Sequence, residues 1–590
     1  MRELEWGQIN FLHTTDIHGW LGGHLQEPQY SADWGDYISF TEHMRRKADE
    51  KGVDLLVIDT GDRVEGNGLY DGSDPKGRFT YDIFGQQSVD ILCTGNHELY
   101  HADSVAREHN ITVPHFKESY IASNLDYIEP ETGNQIPQAQ RYIKFKTKNL
   151  GYNVVAFGFL FDFDRNANNS VVIPVEEAMK QKWLQSAIRE KPDLFVVTGH
   201  VGLRMSEFEK IFKVIRDENW YTPIVFLGGH AHVRDARKFD EKAVAIASGR
   251  YFETIGWMSI DGVKKKNKDT ASVNAEVTFK RRYIDNNVLG LQHHAGVDEE
   301  NFATAHGRNV SKMITEARKA LKLDNRLGCS PKDLWMTRAK YPSDSSIYSW
   351  LENEVVPDTV VHKDRADKPR LTIVNTGAIR FDIFKGAFTT DSTYLISPFT
   401  STFNYVPDVP YDVAKKVLRL LNSGGPVLEG ALNPKHLSIP EQVAPSPFLG
   451  REPPHAAAAY LRPHFSDGEG QQHPLVEDSD DNYEVHDDEP QIVNGYTTKD
   501  DLGDDGDDAV HSPIKFYSVP NCIQAQAAFP EAAEPETVDL VFIDYVQPWI
   551  IPALKFSGGD YESDNITAYL NVTLTDVIAS WVKTHWKEDC

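Results

Sequence analysis

The stretch Ser88–His101, "SVDILCTGNHELYH", decides how the rest of the chain is read. An apolar run, Ile91 to Cys93, stops at Thr94-Gly95. Asn96, His97 and Glu98 follow at once. A buried strand that ends in groups able to bind metal and move protons has the pattern of an active-site rim. The same design recurs along the first half of the chain. "TTDIH" follows the run from Ile9 and supplies Asp16 and His18. "DTGD" supplies Asp62, "TGNHE" supplies Asn96 and His97, "TGH" supplies His200, and "GGHAH" supplies His230 and His232.

In an open α/β sheet the carboxyl ends of the strands converge on one crevice, so these five blocks, distant in sequence, are expected to meet. The flanking glycines let backbone turn sharply and come close. Oxygen and imidazole donors without thiolate suit Zn, Mn or Fe rather than a cysteine-type structural zinc, and Mg or Ca less well. Seven ligand candidates (Asp16, His18, Asp62, Asn96, His200, His230 and His232) exceed one tetrahedral ion. They suit two divalent ions sharing one carboxylate, a pair that can deprotonate a bridging water and clamp a phosphoryl group.

The chain has 590 residues, too many for one core, so two domains are expected. Its net charge of -27 argues against nucleic acid as a partner, because such a surface repels phosphate backbones. It leaves a small phosphorylated substrate open, since bound cations invert the local field. No apolar run is long enough to span a membrane. The N-terminus has no signal-peptide apolar region as it stands, and a trimmed signal is allowed for. Sequons begin at Asn110, Asn168, Asn309, Asn565 and Asn571 and favour a secreted or vacuolar lumen, with a cytoplasmic site left open. The four cysteines show neither metal-ligand spacing nor a dense disulfide framework. Cys93 reads as a buried free thiol and Cys590 as a mobile terminal residue.

Buried strands are expected in the runs beginning at Ile9, Val53, Ser88, Asn153, Pro192 and Thr222. Helices are expected at Tyr37–Glu50, Glu176–Arg189 and Ser206–Asp217. The segments "AVAIASGRYFETIGWMSI" and "ASVNAEVTFKRRYI" alternate more, as antiparallel strands closing the domain do. The expected division is a catalytic α/β domain at 8–297, a connecting helix at 298–325 and a second α/β domain at 326–590. From about Phe465 to His511 the second domain carries an acid-rich segment that reads as a largely solvated insertion.

At these residues the chain resembles the calcineurin-like metallophosphoesterases, whose pattern D-x-H, GD, GNH[ED], a lone His and GH-x-H stands here as "DIH", "GD", "GNHE", "TGH" and "GHAH". The longer form "FLHTTDIHG" narrows the resemblance to the two-domain 5'-nucleotidase branch, and within it to a fungal group of uncharacterised activity. The resemblance implies a four-layer-type α/β sandwich followed by an α/β substrate-binding domain. It implies a first metal on Asp16, His18, Asp62 and His232, and a second on Asp62, Asn96, His200 and His230. His97 would stabilise charge on the phosphoryl group or the leaving oxygen, and Glu98 would orient its loop. "NTGAIR" resembles the branch's NGGxIR and implies Asn375, Gly377 and Arg380 at the substrate. "ISPF" implies Phe399 stacking on a nucleobase.

Two positions depart from the pattern. The branch has an Asp three residues after the catalytic His, pairing with its ring; here that residue is Tyr100, which has no charge at neutral pH. The branch's second stacking phenylalanine falls on Lys499 if Asp505 is the motif Asp, with Tyr496 the nearby aromatic. The expectation is therefore a dinuclear metal phosphohydrolase in which metal-bound hydroxide attacks a nucleoside 5'-monophosphate or a related nucleotide. A phosphoesterase for a cyclic nucleotide, a nucleotide sugar or a non-nucleotide phosphate is the second reading. A non-catalytic metal-binding interaction protein is the third.

Overall fold

In the computed structural model the described residues are 1–265, 276–422, 501–502, 506–509, 517, 519–531, 533–587 and 590. Two sheets dominate the first half. One has five strands, in the order Thr278–Asp285, Thr254–Asp261, Ile9–Thr14, Asp54–Asp59 and Ile91–Leu92. The other has seven and is centred on Ala243–Ser248, Ile224–Gly228, Leu194–His200 and Asn153–Leu160. The runs expected to be strands are strands, and the central ones are buried on both faces.

The sheets pack face to face. Ile9, Phe11 and Ile58 from one meet Val154, Val196 and Leu227 from the other in a shared apolar layer. The remaining face of each sheet is covered by helices, which makes four layers. Helix Trp34–Lys51 covers the five-stranded sheet. Asp33 and Asp36 form its capping box, and Gly52 ends it in the left-handed region at φ 66°. Trp34, Tyr37, Phe40 and Met44 give it a buried face.

One expectation changes in detail. "AVAIASGRYFETIGWMSI" is two strands in different sheets. Ala243–Ser248 runs parallel to Ile224–Gly228, while Thr254–Asp261 is antiparallel to Ile9–Thr14. The chain crosses between the sheets at Gly249–Glu253.

Helix Ala305–Ala320 lies along helix Trp34–Lys51. At its other end Arg318 pairs with Asp391 of helix Thr390–Ile396, 2.6 Å away. The second half is built on a five-stranded sheet ordered Cys522–Ala527, Arg370–Asn375, Thr537–Ile543, Phe403–Pro410 and Thr567–Leu570. Its own apolar core includes Ile373, Leu540 and Ile578.

One sequence expectation is corrected here. Cys590 is not mobile but is disulfide-bonded to Cys329. Near the end of the acid-rich segment a few residues are described and buried. Asp507 and Asp508 are each 1% exposed, against Arg234 at 3.0 Å and His294 at 2.7 Å. Each of these buried acids has a partner, as burial requires. Most of the rest of that segment, including Tyr496, Lys499 and Asp505, lies outside the described residues.

Candidate metal centre

The two sheets present their carboxyl ends at the same edge. Ile9–Thr14 leads into Asp16, Asp54–Asp59 into Asp62, and Ile91–Leu92 into Asn96, all from one sheet. Leu194–His200 ends on His200, and Ile224–Gly228 leads into His230 from the other. Asp16 joins the sheets: its carboxylate accepts from the His230 backbone N–H at 3.0 Å. The loops interlock so closely that a Cβ on Gly95 would lie 2.1 Å from Asp62 Oδ1. A Cβ on Gly229 would lie 2.2 Å from Thr15 Oγ1. Only glycine allows these approaches.

Asp16, His18, Asp62, His230 and His232 all have positive φ, between 48° and 71°. For non-glycine residues that conformation costs roughly 1–2 kcal/mol each. Five such residues at one point mark strain held in place by the surrounding fold. Donor atoms of Asp16, His18, Asp62 and His232 all lie within 4.8 Å of one another.

The tautomers show what the cluster fits. His18 Nδ1 donates to the Glu65 carbonyl at 2.6 Å, and His200 Nδ1 donates to the Thr60 carbonyl at 2.9 Å. A carbonyl can only accept, so each Nδ1 carries a proton, and the Nε2 of the neutral His18 ring presents a lone pair. His18 Nε2 then faces His232 Nε2 at 3.0 Å, and His200 Nε2 faces Asp62 Oδ2 at 3.0 Å. Asp62 Oδ2 is buried. It also stands 3.7 Å from His18 Nε2, which places it between the two sets of imidazoles. Imidazole nitrogens and a carboxylate oxygen converging at such distances form a donor set that fits divalent ions.

Charge agrees with that donor set. Burial holds the His18 ring well below its ordinary pKa, so it is neutral. Asp62, although burial opposes its ionisation, is held well below the carboxylate range by His200 and His97. Asn96 Oδ1 and His230 Nδ1 stand 2.9 Å apart.

His97 lies beside this cluster. Its backbone N–H donates to Asp62 Oδ1 at 2.8 Å, and its Nε2 is buried without a hydrogen bond among the described residues, 4.0 Å from Asp62 Oδ2. The carboxylate that the pattern places at Tyr100 comes from another loop: Glu65 Oε2 accepts from His97 Nδ1 at 2.8 Å. Burial disfavours the charged ring, but Asp62 and Glu65 outweigh it and raise the pKa, against the opposing charge of Arg380. Tyr100 instead packs edge-on to the ring and accepts from Asn96 Nδ2 at 3.2 Å. Glu98 holds the loops together by accepting from the backbone N–H groups of Asp62 at 3.0 Å, Arg63 at 2.6 Å and Gly95 at 2.7 Å. Burial pushes its pKa up to about 7.

The second half meets the first over this centre. Phe381 packs on Trp20 at 4.8 Å between ring centroids. The preceding residue, Arg380, is buried and lies 5.6 Å from the Phe399 ring centroid. Phe399 is half-buried and lies outside the apolar core. Asn375 ends strand Arg370–Asn375, and Gly377 lies in the buried turn Thr376–Ala378.

Two residues escaped the sequence reading. Glu65 is three positions beyond Asp62, with no motif to flag it. Arg250, buried and close enough to act on Tyr348 together with Arg380, follows strand Ala243–Ser248. Its place after a strand was the available signal.

Comparison with known proteins gives the class. Residues 9–234 match the model of the calcineurin-like phosphoesterases, and residues 333–551 match that of the NAD nucleotidase C-terminal domain. An uncharacterised protein of Schizosaccharomyces pombe is 37% identical, over 100% of this chain and 93% of its own. A protein of Arthroderma benhamiae described as secreted is 38% identical, over 99% of this chain and 91% of its own. The crystal structure of a 5'-nucleotidase from Candida albicans superposes with a TM-score of 0.82 at 35% identity, covering 99% of both chains. The chain belongs to the calcineurin-like metallophosphoesterases of two-domain, nucleotidase type, and it is a hydrolase of phosphoesters. Among the described residues no helix is long and apolar enough to cross a membrane.

Proposed function

We propose that this hydrolase acts on nucleoside 5'-monophosphates or related nucleotides and works with two divalent ions. Asp16, His18, Asp62 and His232 would hold one ion, and Asp62, Asn96, His200 and His230 the other. The observation that carries the reading is the meeting of two unlike surfaces. Arg380 of the second half is close enough for its charge to act on His97 beside the Asp/His cage, and the Phe399 ring lies 5.6 Å from its guanidinium. The match to a 5'-nucleotidase along 99% of both chains supports it.

Divalent ions bound in the cage would supply Lewis-acid stabilisation of the phosphoryl oxygens and a nucleophilic water. His97 directs Nε2 at the phosphoryl or leaving oxygen, where a donor lowers the barrier most. Arg380 contacts the phosphate or the nearby ribose hydroxyls through its planar fork. Phe399 stacks on the base. Asn375 and Gly377 shape the turn from which Arg380 projects.

The test measures phosphate release by protein loaded with Mn or Zn, with AMP, other nucleotides and an aryl phosphate as substrates, before and after chelation. AMP should exceed the aryl phosphate by more than about tenfold in kcat/KM, a difference that base stacking can supply. Chelation should abolish both rates. A smaller preference supports a different phosphoester, and no release from any substrate refutes the reading.

The same proposal places the enzyme in a secreted or vacuolar lumen. The Cys329–Cys590 bond, the exposure of all five sequon asparagines and the relative described as secreted favour it.

A further inference from the structure

His97 opens the short turn His97–Leu99, and the group that orients its ring comes from another loop. Glu65 lies 32 residues earlier in the chain, with a side chain 8% exposed and φ 59°. Both its carbonyl and its carboxylate face the metal centre. The carbonyl accepts from His18 Nδ1 at 2.6 Å, and Oε2 accepts from His97 Nδ1 at 2.8 Å. Oε1 lies 3.4 Å from His101 Nε2, an exposed ring at the rim. The rings of His18 and His97 pack edge to face, 4.6 Å apart. Their Nε2 atoms both point toward Asp62 Oδ2, at 3.7 and 4.0 Å. The loop is pinned by Asp71, which accepts from the Gly66 N–H at 2.7 Å. A side chain at Gly66 would meet His18 Cβ at 2.9 Å.

We infer that Glu65 is a positioning residue that aims two histidines at once, a metal-facing one through its carbonyl and a phosphoryl-facing one through its carboxylate. An imidazole held by an outer partner keeps one tautomer and one orientation, and loss of that partner typically costs about 10–100-fold. Because the two contacts come from different parts of one residue, they separate by mutation. Removing the side chain frees His97 and leaves His18 held. The left-handed backbone of Glu65 is the strain that keeps both groups facing the site.

The inference rests on the reading of His97 as the group that faces the phosphoryl or leaving oxygen. Its test uses Glu65→Ala, Glu65→Gln, His97→Ala and the double variant Glu65→Ala/His97→Ala, each loaded with metal. Metal stoichiometry should be the same for wild type, Glu65→Ala and Glu65→Gln. The downfield proton resonance of His97 Nδ1–H, assigned by its absence in His97→Ala, should disappear in Glu65→Ala. Rates for AMP, whose leaving oxygen is poor, should fall about 10–100-fold in kcat with KM within about twofold. Rates for p-nitrophenyl phosphate, whose leaving group needs little help, should fall only about threefold. Glu65→Gln keeps an acceptor for Nδ1 and should recover part of the AMP rate. Adding Glu65→Ala to His97→Ala should cost nothing further. Loss of metal together with equal losses on both substrates would overturn the inference, as would a resonance that survives Glu65→Ala. If wild type hydrolyses p-nitrophenyl phosphate but not AMP, the nucleotide reading falls, while the resonance and metal content still judge Glu65. If Glu65→Ala does not fold, Glu65→Gln decides by an intermediate AMP loss with intact metal content; full activity would refute.

Discussion

Arg63 is the structural keystone beneath the metal centre, and its replacement gives a quantitative test. The guanidinium is 6% exposed. It pairs with Asp59 Oδ1 at 2.9 Å, with Glu108, and with the Cys93 carbonyl at 2.9 Å. Both carboxylates are 1% exposed. Arg63→Met keeps the aliphatic bulk and removes the charge, leaving two buried carboxylates without a cation. Breaking a buried pair in this way costs about 3–5 kcal/mol. For a domain of this size that lowers Tm by about 6–20 °C. The sign with pH follows from the orphaned acids. Burial already holds the Asp59 pKa above its ordinary value while Arg63 opposes it, so removing the cation raises it further; the deficit is small below about pH 4 and grows as pH increases. Thermal unfolding of wild type and Arg63→Met at pH 4 and pH 8 should show a small gap at the first and a large one at the second. Neutralising the partners in Arg63→Met/Asp59→Asn/Glu108→Gln should restore more than half of the loss. A Tm within about 2 °C of wild type at both pH values would refute the argument that these charges depend on Arg63.

Two further perturbations test other links. Phe399→Ala should raise KM for AMP about 5- to 150-fold, the equivalent of one stacked base, and leave glycerol phosphate nearly unchanged; equal effects on both would exclude stacking. Asp36 lies at the start of helix Trp34–Lys51, and burial together with the charge of Asp33 pushes its pKa up to about 6. Stability held while Asp36 is protonated is therefore lost as pH rises from about 4 through 6. Asp36→Asn keeps an acceptor for the Asp33 N–H. It should gain about 1–2 kcal/mol at pH 8 and nothing at pH 4, measured by urea unfolding.

Much of the first half was legible because its signals are local. An apolar run followed at once by Gly, Asp, His or Asn is visible in ten residues, and the central strands Ile9–Thr14, Asp54–Asp59 and Leu194–His200 lie where those runs do. The convergence of their ends follows from the general behaviour of parallel strands. Glu176–Arg189 was less legible. It breaks into helices Val175–Met179 and Lys182–Ala187 with a tighter turn after them, since helix boundaries depend on caps and packing rather than periodicity alone.

The sequence by itself determined which chemistry is available: five strand-end blocks of oxygen and imidazole donors, and an Arg and an aromatic ring in a second domain. The tertiary structure decided how those groups are used. Glu65 reaches His97 across 32 residues, so the absence of a carboxylate at Tyr100 does not leave the ring without one. Asp507 and Asp508, acidic enough to read as solvated, are buried against Arg234 and His294 from the first half of the chain. Cys329 finds Cys590 across 261 residues. The physical reason is common to all three. Local patterns report which face of an element is apolar, but a pair of charges or sulfurs is stabilised by distance in space, and that distance is set only when the elements pack.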